Sequence, residues 1–130
     1  MATFPLITAV LRTGADGSGA PSTQSLTIPR GETVIQPFQV VDESGAPVDI
    51  TDYTITASFG PDSGLATFTG VTTIDVGVNG TGSFSLTSAQ TDLTLTVIYW
   101  DLEAVDTDGN ASKIVFQSRC LIAGGVYAAP

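Results

Sequence analysis

The stretch with the residue types and spacing closest to a binding site is Asp106-Thr107-Asp108-Gly109-Asn110. Oxygen donors at alternate positions and a glycine for the bend are how a calcium loop begins. The carboxylate that closes such a loop is missing, because Ala111-Ser112-Lys113-Ile114-Val115-Phe116 supplies none. Asp, Gly and Asn are also what a tight β-turn selects, and an ordinary turn is the expectation. Just upstream, Asp101 and Glu103 offer two carboxylates of the kind used as a general acid and base. They stand on the solvent side of a strand, and face parity requires the following loop to hold an odd number of residues. A five-residue loop, 106–110, sets Glu103 opposite Lys113, and a cross-strand ion pair then accounts for these charges without catalysis.

The remaining chemistry is thin. There is no histidine, which removes the Ser-His-Asp and Cys-His arrangements and most transition-metal sites. The glycine-rich stretches Gly14-Ala15-Asp16-Gly17-Ser18-Gly19 and Asn79-Gly80-Thr81-Gly82 lack a phosphate-loop lysine and a strand-then-helix setting, so they read as turns. The single cysteine, Cys120, cannot close an intrachain disulfide. On the inward face of a strand it reads as a small core residue. No catalytic residue, cofactor or metal is expected, and the chain does not read as an enzyme. Thirteen acids against four bases give a net charge of −9, which argues against nucleic acid and against anionic membranes.

The elements that position these residues are strands. At 130 residues, with 19 Thr, 14 Gly and 7 Pro, the chain reads as one β-rich domain large enough to bury a core. Ile98, Trp100, Leu102 and Ala104 alternate with Tyr99, Asp101 and Glu103. After the acidic turn, Ile114, Phe116, Ser118, Cys120 and Ile122 alternate with Lys113, Gln117 and Arg119. An unpaired charge is costly in an apolar core, so Trp100 and Phe116 are expected inward and the charges outward.

Earlier strands are expected at about 24–28, 33–41, 53–59, 65–69, 72–78 and 83–87. In the second, Pro37 lacks an N–H and predicts an edge position or a bulge. Ser88 is the expected N-cap of one short helical turn. Seven or eight short strands with polar turns predict an all-β, immunoglobulin-like antiparallel β-sandwich, with a barrel as second choice.

Residues 1–23 read as an N-terminal arm and flexible linker, 24–123 as the sandwich, and 124–130 as a tail. The N-terminus lacks a basic start and is interrupted by Pro5, so a signal peptide is not expected, and no apolar run is long enough for a membrane helix. Phe4, Leu6, Ile7, Val10 and Leu11 are more apolar than a solvated tail requires. They form either an edge strand of their own domain or an arm that binds a partner.

Three stretches together resemble the opening of a known domain: Ser25-Leu26-Thr27-Ile28-Pro29-Arg30-Gly31-Glu32-Thr33, Phe38-Gln39-Val40-Val41-Asp42 and Gly45-Ala46-Pro47-Val48-Asp49-Ile50-Thr51. Gly82-Ser83-Phe84-Ser85-Leu86-Thr87, Trp100-Asp101-Leu102-Glu103 and Asp106-Thr107-Asp108-Gly109-Asn110 match its later part. The resemblance is to the immunoglobulin-like domain at the start of tailed-bacteriophage baseplate upper proteins and in small phage virion proteins. It covers about residues 24–123 and implies a structural virion role with no catalytic residues.

No helical stalk follows the domain, so the expectation within this reading is a capsid decoration or cement-type accessory protein, ahead of a tail, baseplate or neck component. The protein would be made in the host cytoplasm and reside in the virion as a homo-oligomer. Its partners would be the major capsid protein or tail and baseplate proteins. A carbohydrate- or receptor-binding β-sandwich is the alternative, supported only by Tyr53, Tyr99 and the acidic loops.

Overall fold

Short alternating segments punctuated by Gly, Pro and Asp turns cannot bury an apolar face singly, so they stack as sheets. A computed structural model describes residues 2–3, 6–10, 24–61, 66–94 and 96–124. These form β1 (Ala2–Thr3), β2 (Ile7–Val10), β3 (Leu26–Pro29), β4 (Val34–Val41), β5 (Thr54–Gly60), β6 (Phe68–Thr69), β7 (Val71–Val76), β8 (Thr81–Leu86), β9 (Val97–Val105) and β10 (Ala111–Ala123), with one helical turn, α1 (Ser88–Thr91). One sheet runs β4–β8–β7, with β1 and β2 sharing the far side of β4. The other runs β3–β10–β9–β5–β6. The molecule is an all-β sandwich with the strand order of the immunoglobulin type. Ten strands exceed the seven or eight expected because β1 and β2 are too short to show a period. The sheets are also mixed: β1 and β2 run parallel to β4, and β3 runs parallel to β10.

Between the sheets, Phe84 of one meets Trp100 and Phe59 of the other, with ring centroids 5.5 and 5.8 Å apart. Phe59 stacks on Trp100 at 5.9 Å and on Phe68 at 5.2 Å. Offset and tilted packing of this kind adds to the area term of aromatic burial. Trp100 is inward as expected, and its indole N–H donates to the Gln24 carbonyl at 2.7 Å. The Gln24 side-chain amide also donates to the Thr8 carbonyl (3.0 Å), and its backbone N–H donates to the Ser118 hydroxyl (2.9 Å). One residue thereby ties β2, β9 and β10 together and satisfies the buried Ser118.

Four expectations are corrected by tertiary context. First, β2 pairs with β4 from Ile7↔Phe38 to Val10↔Val41, so the sandwich begins ahead of residue 24. Second, Pro37 sits in a strand paired on both sides. It opposes Ser83 of β8. On the other side of β4, β1 pairs with Val34 and Ile35 and β2 pairs from Phe38 onward, so the strand that holds Pro37 is not an edge strand. Third, β10 holds two irregularities, between Lys113 and Val115 and between Val115 and Ser118. Two extra residues restore the original parity by Ser118, and between them Val115 joins Ile114 in the core. Fourth, Thr87 rather than Ser88 caps α1: its hydroxyl accepts from the Gln90 N–H and the Gln90 side chain accepts from the Thr87 N–H, a capping box. The side chain of Phe116, the arm residues Phe4 and Leu11, Leu65 of the expected fourth strand, and residues 11–23 and 125–130 lie outside the described residues.

Candidate functional site

The β9–β10 hairpin closes through a five-residue turn, with Val105 opposite Ala111 and Glu103 opposite Lys113. Alternation puts Asp101, Glu103 and Lys113 on the outer face. The Lys113 ammonium lies 3.2 Å from Asp101 and 3.4 Å from Glu103. Partial burial opposes its protonation. The hydrogen bond to Asp101 and the charges of both acids outweigh that effect and raise its pKa. A lysine held between the two carboxylates on an open sheet face is a surface ion-pair cluster.

Three turns, β4–β5, β7–β8 and β9–β10, leave the sandwich at the same end, as the pairings Thr54↔Val105 and Val76↔Thr81 require. They and the end of β7 carry Asp42, Glu43, Asp49, Asp52, Asp75, Asp106 and Asp108 with no Lys or Arg among them. Three of these carboxylates, of Asp42, Asp49 and Asp106, are turned onto their own loops. Asp106 accepts from the N–H groups of Asn110 (2.9 Å) and Asp108 (3.0 Å) and from the Asn110 side-chain amide (3.3 Å). Asp42 accepts from the Ser44 hydroxyl (2.6 Å) and from the N–H groups of Ser44 and Ala46. Asp49 accepts from the hydroxyl and N–H of Thr51.

These bonds hold the carboxyls below the ordinary carboxylate range, led by the Ser44 hydroxyl for Asp42, the Thr51 hydroxyl for Asp49 and the Asn110 N–H for Asp106. In the calcium-like stretch the Asp106 oxygens close the turn. Among the described residues no three His, Cys, Asp or Glu side chains gather as a metal site.

Cys120 is buried on β10 opposite Ile98 and Leu26, and burial pushes its thiol up to about 12. It is a core residue with almost no thiolate at neutral pH.

The apolar N-terminal residues divide. Ile7 packs against the core and Ala9 is fully buried, whereas Leu6 is 52% exposed and Val10 half-buried on the outer side of β2. Of the five residues expected to bind a partner, Leu6 offers the most open surface among those described.

Sequence reasoning missed the largest apolar exposure. Val71 is 68% and Val78 is 64% exposed, with Val76 at 42%, all on or just after β7. In the sequence Val76 and Val78 stand in line with Ile74, and the register shift between Ile74 and Val76 turns them outward. That β7 lies at the rim of its sheet was not visible there. The outer face that β7 shares with β4 and β8 is uncharged apart from Asp75: Ile35, Pro37, Gln39, Ser83, Ser85 and Thr73 point outward there. The charges gather on the other sheet's outer face and at the acidic end.

No protein-family model matches the chain, and no curated protein is similar to it in sequence. Among solved structures, the fold is similar to the N-terminal domain of phage TP901-1 ORF48, with a TM-score of 0.51 and 14% identity over 93% of this chain and 98% of that one. At that identity the likeness is one of fold: nearly the whole chain follows the path of a complete domain of a phage protein.

Proposed function

We propose that this chain is a non-enzymatic structural protein of a tailed-phage virion, attached to other virion proteins through its N-terminal segment and sheet edges. The single observation that carries the reading is the fold likeness to a phage protein's N-terminal domain over 93% of the chain. The motif order of residues 24–123, which resembles phage virion domains, points the same way. Supporting it chemically, the carboxylates that could do acid–base work are occupied by turn closure and by Lys113. A fold hosts many functions, so the assignment rests on this convergence and on the particle experiment below.

Within this reading the chain is a capsid decoration or cement-type accessory protein. The test is its copy number in purified particles, by quantitative gel and electron microscopy. On the order of hundreds of copies fits a capsid lattice, while about six to eighteen places it in the tail, baseplate or neck and overturns the decoration reading. Absence from particles overturns the virion reading altogether. Leu6→Asp, at an open position, leaves the domain folded and is expected to reduce incorporation. Normal incorporation of that variant refutes attachment through the N-terminal segment.

A further inference from the structure

We propose that β7 is a self-association strand: its outer edge pairs, antiparallel and about a two-fold axis at Thr73, with β7 of a second copy of this chain. The inference goes beyond the virion reading and stands or falls on the purified chain alone.

The first argument is the state of the four sheet edges. An edge presents unpaired N–H and C=O groups, and soluble proteins blunt them with short strands, proline, charge or covering groups. Three edges here are blunted. β6 is two residues long. β3 is four residues, ends in Pro29 and is followed by Arg30. On the β1–β2 edge the strands are two and four residues long, and Gln24 donates to the Thr8 carbonyl. β7 is six residues long and terminal in its sheet, and among the described residues no strand pairs with its outer side. It carries no Pro, Lys or Arg. Its one irregularity, between Ile74 and Val76, lies at its end and leaves Val71–Ile74 regular.

The second argument is charge, and it selects the occupant. Two chains of net charge −9 meet at least cost where each is neutral. β7 borders the uncharged outer face and contributes one carboxylate, Asp75. Antiparallel pairing sends the acidic ends of the two copies to opposite ends of the dimer, whereas parallel pairing would bring them side by side. Centred on Thr73, the register sets Asp75 of each copy opposite Val71 of the other and Thr72 opposite Ile74. No like charges face each other, and the most exposed valine is covered. A two-fold contact of this kind is self-complementary and closes at two chains.

The experiment is sedimentation of the full chain over a range of concentrations. A concentration-dependent dimer is expected. Thr73→Lys, at an exposed outer-face position, sets two ammonium groups opposite each other and should give a monomer with an unchanged circular dichroism spectrum. Thr73→Cys should cross-link to a dimer under mild oxidation, since Cys120 is buried, while Thr54→Cys on the opposite sheet should not. If the lysine variant fails to fold, the cysteine pair decides. A chain monomeric at every concentration overturns the proposal. So does an oligomer that tolerates Thr73→Lys and is not cross-linked by Thr73→Cys.

Discussion

Val115 gives the sharpest test of the packing. Unbroken alternation along β10 would place it on the outer face with Lys113, where substitution costs within about 0.5 kcal/mol. The bulges instead bury it completely beside Ile114. Val115→Thr keeps the shape and adds a hydroxyl, and a buried hydroxyl without a partner costs about 1–3 kcal/mol. Val115→Ala removes two methyl groups, about 1.6 kcal/mol of transfer free energy at ~0.8 per group, and leaves a cavity that adds to this. Urea unfolding, followed by circular dichroism and by Trp100 fluorescence, measures both. The expected losses are about 1–3 kcal/mol for Thr and about 2–3 for Ala, with unchanged m-values. If both fall within about 0.5 kcal/mol of the parent, β10 alternates without interruption and the bulged register is wrong.

Other consequences follow from single residues. Gly80 has φ +73°, and a Cβ there would collide with the Val40 carbonyl oxygen and stand 2.7 Å from that of Val48, so Gly80→Ala should cost at least about 2 kcal/mol in urea unfolding. A cost below about 0.5 kcal/mol would mean the turn is not built this way. Trp100→Phe should destabilise by about 2–4 kcal/mol, losing ring volume and stranding the Gln24 carbonyl.

The Lys113 pKa is raised above its ordinary 10.5, so its ion pairs stabilise fully below that value and are lost as pH rises through the folded value. The gap between parent and Lys113→Gln, under about 1 kcal/mol at neutral pH, should therefore close in strong alkali, and a gap constant with pH would refute it. Conversely, Asp42, Asp49 and Asp106 have lowered values, so their contribution is present above the ordinary 3.8 and is lost as pH falls through the folded values. The Cys120 thiol, pushed up to about 12, should resist a thiol reagent at pH 8 until the chain is unfolded. Reaction of the native protein at a free-thiol rate would contradict its burial.

Local patterns fixed much of this architecture in advance. Period-two alternation named the buried faces of β5, β8 and β9 correctly, because each of those strands runs without interruption. Parity across the acidic turn gave the loop length and the Glu103–Lys113 pairing, because both strands begin regularly from it. The candidate site was legible mainly as chemistry that is absent: no histidine, one inward cysteine, and aspartates of the kind that turns employ. What alternation could not give was any property that depends on a neighbour. Gln36 lies on the core face of β4 at 1% exposure, with its amide donating to the Pro37 carbonyl at 2.8 Å. Its polarity argued against that face, and hydrogen bonding makes the burial tolerable.

The sequence by itself determined the fold class, the turn positions and the inward places of Trp100 and Cys120, since these follow from side-chain period and from the cost of burying charge. Tertiary structure alone decided that Ala2–Thr3 and Ile7–Val10 pair with β4, that Val115 turns inward, that Gln24 ties three strands together, and that among the described residues no strand covers the outer side of β7. Each of these turns on a pairing between segments distant in the chain. No local period encodes which strand will lie beside which.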